Sequence, residues 1–287
     1  MLHLMRRDMR KSYSGSESMV KDHESVGGTD HLRIATYNIH KSRGLDRRLR
    51  PQRILEVLRE LDADLIALQE VVSRKGSGRE EDQERYFAEE LGYYSVMGEN
   101  RTHEGGAYGN VLLTRFPMHS FHNYDISAAG RERRGCLRAD VRLGETVLHI
   151  FNVHMGTAFF ERRKQALKLL GKEILERGEL AGARIVLGDF NEWSRGLASR
   201  LFATRFHSAD PHRYLGRANT YPGVLPFLHL DHIYFDPSLK LNRLSLHRTR
   251  KALLASDHLP LVADFTWHAP GASRSRAPVL VGPLLGD

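Results

Sequence analysis

The chain has 287 residues, of which 41% are hydrophobic and 27% charged, a composition typical of a globular domain with a large core. The single cysteine, Cys136, excludes an internal disulfide, and no apolar run approaches the length of a membrane span. The net charge of +8 favours anionic partners, namely nucleic acid, an anionic membrane surface or small phosphorylated molecules, although a solvated basic face explains it equally well.

Polar segments flank the part of the chain that carries hydrophobic periodicity. Residues 1–30 are charged and rich in Ser and Gly, and residues 269–287 are rich in Pro, Gly, Ser and Arg. Both are predicted to be disordered tails around a single domain at residues 31–268. The basic residues near the start are not followed by an apolar segment of the kind found in secretory signals, so we expect a cytoplasmic protein.

A β-α-β unit is predicted at the start of the domain. A strand over Arg33–His40 is followed by a helix that begins at Pro51 and by a second buried strand over Asp64–Glu70. Because such a unit makes its two strands parallel, Asn38 and Glu70 are expected at the same, carboxyl edge of the sheet.

A helix, two strands and a glycine-rich turn are predicted next. The helix covers Glu80–Leu91, strands cover Tyr93–Met97 and Val111–Thr114, and the turn covers Gly105–Asn110. The turn lacks the glycine spacing of a dinucleotide-binding or phosphate-binding loop, so no nucleotide cradle is predicted.

A hairpin and a helix follow this region. No helix is expected between residues 116 and 153, where strands over Arg134–Val141 and Thr146–Val153 form an antiparallel hairpin. Thr157 is predicted to cap the following helix. Its apolar face, expected to pack on the core, consists of Phe160, Leu167, Leu170 and Ile174.

The stretch Ile185–Gly188 predicts a buried strand that passes Asp189 and Asn191 to the loop beyond its carboxyl end. Side chains two residues apart in an extended segment point the same way, so this carboxylate and amide can face one divalent cation or one phosphate. Taken alone, an ordinary Asx turn explains the pair equally well. Beyond it, one helix and three strands are predicted, over Ser194–Ala203, Leu230–Phe235, Leu239–His247 and Leu261–Phe265.

Polar residues lie at the boundaries of the apolar runs along the whole domain. Each one alone is explained by a capped turn. Ligands of open α/β sheets bind where strands end, however, so the complete set is expected to share one cleft. The set is Asn38, Glu70, Asn152, His154, Asp189, Asn191, Asp231, Asp257 and His258.

The segments that carry these residues resemble, in the same order, the endonuclease/exonuclease/phosphatase superfamily of deoxyribonuclease I, AP endonucleases, neutral sphingomyelinases and inositol polyphosphate phosphatases. The resemblance covers Leu32 to Trp267. It implies an α/β fold, a four-layer sandwich of two packed mixed β-sheets flanked by helices. The matching segments are Thr36–His40, Leu68–Val71, Asn152–His154, Gly188–Asn191, Leu230–Ile233 and Ser256–Pro260.

The resemblance implies a divalent metal site. Glu70 matches the principal metal ligand of the family, with Asn38 beside it and Asp257 as a further metal or water ligand. Mg²⁺ is expected because it prefers oxygen and needs few protein ligands, and Mn²⁺ can substitute for it. No Cys/His cluster has zinc spacing, so structural zinc is not predicted.

The resemblance also implies roles in proton transfer. His258 is the expected general base, since imidazole titrates near neutrality, and Asp231 matches the residue that orients it. The counterpart of Asp189 is the base in another assignment for the family, and the sequence leaves both assignments open. Asp189 and Asn191 are expected to position the nucleophile and to hold phosphate oxygens.

Two further groups are candidates for contacts with phosphate. Asn152 and His154 are expected to contact the scissile phosphate. Arg131, Arg133 and Arg134 precede a predicted strand and could grip a phosphate, although a solvated basic loop explains them equally well.

The implied reaction is phosphodiester hydrolysis by in-line attack of water. Tyr37–Asn38 and Gln69–Val71 lack the tryptophan and threonine typical of AP endonucleases, so the chain is more similar to the deoxyribonuclease I and sphingomyelinase branch. The expected substrate is therefore nucleic acid, a phospholipid headgroup or a small phosphodiester, and no protein partner is predicted. The alternative is a catalytically silent phosphate- or nucleic-acid-binding protein of the same fold, which usually loses the ligands that this chain keeps.

Overall fold

The computed structural model describes residues 30–144, 146–178, 180–192, 196–210, 214, 219–222 and 228–267. These ranges contain twelve strands and five helices, and a short 3-10 turn at His40–Ser42. In chain order they are β1 (Asp30–Asn38), α1 (Pro51–Leu61), β2 (Leu65–Ser73), α2 (Gln83–Leu91), β3 (Tyr94–His103), β4 (Gly106–Thr114), β5 (Met118–Asp125), β6 (Gly135–Leu143), β7 (Thr146–His154), α3 (Phe159–Leu169), β8 (Ala183–Asp189), α4 (Leu197–Ala203), β9 (His207–Ser208), β10 (Asp231–Phe235), β11 (Lys240–Leu246), α5 (Arg250–Ala255) and β12 (Leu261–Trp267).

The strands form two six-stranded mixed sheets. The first has the order β11-β12-β1-β2-β4-β3 and the second β5-β6-β7-β8-β10-β9. Each sheet has one parallel pair near its centre, β1 with β2 and β7 with β8, and its other neighbours are antiparallel. The carboxyl ends of two adjacent strands therefore meet at the same edge of each sheet.

Three hydrophobic clusters explain the layering. The largest lies between the sheets and takes side chains from both, such as Ile34 and Ile150. A second cluster packs α1, α2 and α5 on the outer face of the first sheet, and a third packs α3 and α4 on the outer face of the second. The four-layer sandwich expected from the sequence is thus confirmed.

Most of the predicted elements are confirmed, including the parallel β1–β2 pair and the antiparallel β6–β7 hairpin. The predicted turn over Gly105–Asn110 is wrong beyond its first residues, because β4 already begins at Gly106. The sequence also missed β5, β9 and α5, which are short or lie at sheet edges and have weak periodicity.

The helix after Thr157 differs from its prediction. The residue at its N-cap is Ala158, and no side chain caps it. Of the expected core face, Leu170 and Ile174 are buried, but Phe160 and Leu167 are exposed.

The described residues leave some predictions outside the structure. The tail predicted at 269–287 and residues 1–29 of the tail predicted at 1–30 lie outside them, as do residues 194 and 195 of the helix predicted from Ser194. None of the described helices combines the length and the apolar character needed to cross a bilayer.

Candidate active site

The two sheets present their parallel strand ends to one another. Asn38 ends β1 beside Gln69 of β2, and His154 ends β7 beside Asp189 of β8. The amide nitrogen Nδ2 of Asn38 crosses between the sheets and donates to Oδ2 of Asp189 at 2.9 Å. The residues at the ends of four strands therefore meet, as the sequence predicted, in one polar cluster, Asn38, Glu70, His154 and Asp189, which we call the pocket.

Gly188 makes this meeting of β7 and β8 close. Its φ is +142°, and a Cβ at this position would lie 1.9 Å from the carbonyl oxygen of Val153 on β7. Only glycine fits such a contact, and it places the next residue, Asp189, at the pocket floor. Asp189 is 1% exposed. Burial raises the pKa of its carboxyl, although the charges of His258 and His154 oppose this shift.

Glu70 lies at a bulge in β2. Its φ of +58° is in the left-handed region, and the β2–β4 register shifts between Leu68 and Val71. Bulges re-aim side chains beside functional sites, and here the bulge turns the carboxylate into the pocket. Nδ2 of Asn38 lies 3.3 Å from Oε1 of Glu70, and the ammonium of Lys41 lies 2.5 Å from Oε2.

The charge on Glu70 is maintained by its neighbours. Burial would raise the pKa of this carboxyl, but the charges of His154, which is protonated at the acidic pH where Glu70 titrates, and of Lys41 outweigh burial and lower the pKa to about 2. His154 is uncharged at neutral pH, because burial and the adjacent Arg134 guanidinium lower its pKa to about 4. Lys41 is therefore the cation that faces Glu70 under ordinary conditions.

His258 is held between two carboxylates. Its Nδ1 lies 3.0 Å from Oδ2 of Asp231, and its Nε2 lies 3.8 Å from Oδ2 of Asp189. Burial disfavours the charged ring, but Asp231, Asp189 and Asp257 more than compensate and raise the pKa to about 10. The other oxygen of Asp231, Oδ1, is buried and has no hydrogen-bond partner among the described residues.

His154, at the end of β7 in the second sheet, faces the carboxylates of Asp189 and Glu70. Its Nε2 lies 3.5 Å from Oδ2 of Asp189 and 4.0 Å from Oε1 of Glu70. Nη1 of Arg134, a residue only 8% exposed, lies 2.9 Å from Nδ1 of the same ring. The second nitrogen of the guanidinium, Nη2, pairs with Glu132, whereas Nε has no partner among the described residues.

Asn191 and Asn152 are placed differently. Asn191 lies at the pocket with its backbone N–H donating to Asp189 Oδ1 at 2.8 Å and its Nδ2 to the Met155 carbonyl at 2.9 Å. Asn152 is fully buried behind the pocket. Its Oδ1 accepts from Gln69 Nε2, and its Nδ2 donates to two carbonyls of the opposite sheet, those of Leu68 and Val111.

The structure thus does not bring Asn152 to the expected phosphate position. All the polar atoms of its side chain are used in hydrogen bonds that join the two sheets.

The donors at Glu70 suit a hard cation. Glu70 offers carboxylate oxygens next to the amide of Asn38. One of these oxygens, Oε2, already pairs with a cation, the Lys41 ammonium. Mg²⁺ is often held by one or two carboxylates together with water and substrate phosphate. No three His, Cys, Asp or Glu side chains in the described ranges are arranged to hold a metal ion by themselves. Asp257, the third expected ligand, lies beside His40, with its Oδ1 3.6 Å from Nδ1.

Three neighbours of the site were not assigned a role from the sequence. Lys41 follows the polar strand end directly, but the 3-10 turn that folds it back onto Glu70 gives no sequence signal. Ser256 donates to the Asn38 carbonyl at 2.8 Å and accepts from the His258 N–H. The ring of Tyr221 lies 4.9 Å from that of His258, at the end of a loop without periodicity.

Known proteins match the chain at the level of family and fold. A family model described as "Endonuclease/Exonuclease/phosphatase family" matches residues 35–258. The uncharacterized protein YbhP of Escherichia coli K12 is 29% identical over 247 residues, which cover 81% of this chain and 95% of YbhP.

Solved structures show the same fold at lower identity. An endonuclease/exonuclease/phosphatase family protein from Bacteroides thetaiotaomicron has a TM-score of 0.69 at 18% identity, over 83% of this chain and 96% of that chain. The mannosyl-6-phosphatase Bt3783 from the same species has a TM-score of 0.65 at 19% identity, over 82% of this chain and 99% of that chain.

Proposed function

Because this chain belongs to the endonuclease/exonuclease/phosphatase family, we propose that it is a divalent-metal-dependent phosphoester hydrolase that acts on phosphodiesters by in-line attack of water. The observation that carries the proposal is the convergence of groups far apart in the chain. Asp189 contacts Asn38, His154 and His258, and Asn38 in turn contacts Glu70. A silent phosphate-binding protein would not need to bring a cation site, a carboxylate and two imidazoles together.

Glu70 and Asn38 would hold the metal, with Asp257 as a further ligand of the metal or of its water. When bound, Mg²⁺ or Mn²⁺ supplies positive charge that neutralises the phosphate and stabilises the leaving oxygen. The bulge at Glu70 fixes the carboxylate in advance, which avoids part of the cost of ordering the ligands on binding. Asn38 presents its Nδ2 to Glu70 and Asp189, and its Oδ1 accepts from the His40 N–H at 3.0 Å, so its amide would have to rotate to bind the metal through oxygen.

The attacking water would lie beside Asp189 and His258. Nε2 of His258 and Oδ2 of Asp189 are 3.8 Å apart, so one water at their side can reach both atoms. The two groups interact strongly and titrate together, and because the His258 ring already carries its proton, we assign the water's proton to the Asp189 carboxylate. Asp231 fixes the ring of His258 through Nδ1 and so directs Nε2 at the water.

The phosphate oxygens would be held from the second sheet. His154 faces Glu70 and Asp189, and its ring is uncharged at neutral pH, so one ring nitrogen can donate to a non-bridging oxygen. The buried Arg134 guanidinium behind it adds positive charge. Asn191, beside Asp189, would be the third group that holds phosphate oxygens. Asn152 would contribute only indirectly, by joining the two sheets through its hydrogen bonds.

Three substrate classes fit this chemistry: nucleic acid, a phospholipid headgroup and a small phosphodiester. The net charge of +8 suits the first two. The mannosyl-6-phosphatase among the structural relatives acts on a monoester, so a monoester is the natural comparison substrate for this chain.

The test is hydrolysis of bis-p-nitrophenyl phosphate, with p-nitrophenyl phosphate alongside, in Mg²⁺ or Mn²⁺ and after EDTA treatment. We expect diester hydrolysis that chelation abolishes and that His258→Ala lowers by about a hundredfold or more. His247→Ala is the matched control, because His247 pairs with Glu60 away from the pocket.

Activity that survives chelation, or that is equal in His258→Ala and His247→Ala, contradicts the proposal. Comparison of plasmid DNA with phospholipid vesicles then separates the nuclease from the headgroup hydrolase. Nicking that weakens steeply with salt marks a nuclease.

A further inference from the structure

The outer face of α3 is apolar where a surface helix is normally polar. Phe159, Phe160 and Leu167 are 51%, 71% and 52% exposed. By contrast, the polar residues Glu161 and Gln165 of the same helix are 7% and 1% exposed. Contiguous exposed apolar patches that are rimmed by polar residues mark interaction sites on proteins.

Hydrogen bonds fix this orientation of the helix. Gln165 accepts at 2.8 Å from the Gly156 N–H, and Arg162 donates to the Thr157 carbonyl, so the polar side chains are used inside the protein. The Phe159 and Phe160 rings lie edge to face with their centroids 5.4 Å apart, so they contact each other while remaining exposed to solvent.

Basic residues are interleaved with these apolar ones. Arg163, Lys164 and Lys168 are exposed on the same half of the helix, and none of the three forms an ion pair with another described residue. The single carboxylate of α3, Glu161, points inward. We call the face formed by Phe159, Phe160, Leu167 and these three cations the α3 face.

We propose that the α3 face docks on an anionic phospholipid bilayer, with the two phenylalanines inserted at the headgroup boundary and the cations against the lipid phosphates. Phe and Leu on a helix that is otherwise rich in Lys and Arg are the composition of interfacial helices, which combine apolar burial with attraction to anionic lipid. A second copy of the chain is a poor occupant, since two such faces would oppose like charges. This docking goes beyond the proposed hydrolysis and does not depend on it.

The α3 face is close to the pocket in the sequence. Phe159 follows His154 by five residues, a separation of at most about 18 Å. The segment between them is fixed to the pocket by Asn191, which donates to the Met155 carbonyl. Docking would therefore bring the pocket close to the bilayer surface.

The experiment is sedimentation of the full chain with phosphatidylcholine vesicles, with and without a third of phosphatidylglycerol. We expect binding to the anionic vesicles only, with the partition coefficient lowered about tenfold or more in Phe159→Ala/Phe160→Ala and in Lys164→Glu/Lys168→Glu. Leu254→Ala is the matched control, because Leu254 is 54% exposed on α5, on the outer face of the other sheet. It should bind as the parent does.

A second variant keeps the test independent of folding defects. Phe160→Trp should be quenched by brominated phosphatidylglycerol vesicles, beyond any quenching of the parent. Equal partition of Phe159→Ala/Phe160→Ala and the parent, or absence of this quenching, overturns the proposal. So does self-association of the parent that the double alanine variant loses, or DNA binding that depends on Lys164 and Lys168 without vesicle binding.

Discussion

The ammonium of Lys41 lies 2.5 Å from Oε2 of Glu70, the carboxylate proposed to bind the metal. Lys41 adopts this position through a left-handed backbone conformation, with φ 60° and ψ 26°, inside the 3-10 turn after β1. A metal that binds Glu70 must displace this ammonium or share the carboxylate with it. We therefore expect the pair to affect the affinity of the proposed site for metal.

Lys41→Met is expected to strengthen metal binding. Removing a unit charge a few ångströms from the site relieves repulsion between Lys41 and the incoming metal, and near a protein surface this amounts to about tenfold in affinity or more. Isothermal titration with Mg²⁺, or electron paramagnetic resonance of free Mn²⁺, measures it. Lys251→Met is the control, since Lys251 pairs with Glu56 and Glu60 on the outer helices. Unchanged or weaker binding in Lys41→Met would show that the lysine does not compete.

Asp231→Asn is expected to lower the pKa of His258. Burial favours the neutral ring, and the main opposing contribution is the Asp231 carboxylate, which with Asp189 and Asp257 raises the pKa from 6.5 to about 10. Since the folded-state pKa is the higher one, the interaction stabilises the protein fully below pH 6.5, and this contribution is lost as pH rises through about 10. NMR of labelled histidine ring nitrogens reports the titration.

The control for this experiment is Asp236→Asn, which removes a carboxylate that pairs with Arg184 instead. It should leave the titration of His258 unchanged. If His258 of the parent titrates near its ordinary value, the neighbouring carboxylates do not hold its proton.

The convergence of the site could be predicted from the sequence because it follows from topology. A β-α-β unit must align Asn38 with the end of β2, and the apolar run Ile185–Gly188 predicts a strand that passes Asp189 and Asn191 to the loop at its end. These constraints act through the backbone and leave a pattern in the residues. The same pattern of polar strand ends included Asp231 and His258, and the family resemblance then supplied their expected roles.

The features that the sequence did not predict depend on side-chain direction. Periodicity assigned Phe160 and Leu167 to the core, but hydrogen bonds from the segment before α3 turn Gln165 inward instead. Asn152, like Asn38, lies near the polar carboxyl end of a strand. Its side chain is buried between the two sheets, however, where its Nδ2 donates to the Leu68 carbonyl. Neither the orientation of a helix nor the depth of a strand end is encoded by the spacing of polar residues.

Asn152→Ala is expected to destabilise the fold. It leaves the carbonyls of Leu68 and Val111 without the amide that each accepts from at 2.9 Å, deep between the sheets. Unsatisfied buried groups of this kind cost about 1–3 kcal/mol each, so for the two carbonyls we expect a loss of about 2–6 kcal/mol in the free energy of unfolding. Urea denaturation measures it, with the exposed Asn242→Ala as the control. A variant that keeps its stability and loses phosphate affinity would restore the role expected from the sequence.

Gly188→Ala is expected to damage both stability and the site. Its Cβ would meet the Val153 carbonyl oxygen at 1.9 Å, and its φ of +142° is one that alanine avoids. Gly76→Ala separates these two effects, because Gly76 has a φ of +83° but nothing within 4 Å of the added Cβ. The conformational penalty alone is about 1 kcal/mol, whereas strain together with a backbone collision is about 3 kcal/mol or more.

Urea denaturation of both variants gives the difference, and diester hydrolysis should fall only in Gly188→Ala, because the collision pushes β8 and Asp189 away from Asn38. Equal losses of stability in the two variants would mean that β7 and β8 have room to separate, and that the close approach at Gly188 does not fix the position of Asp189.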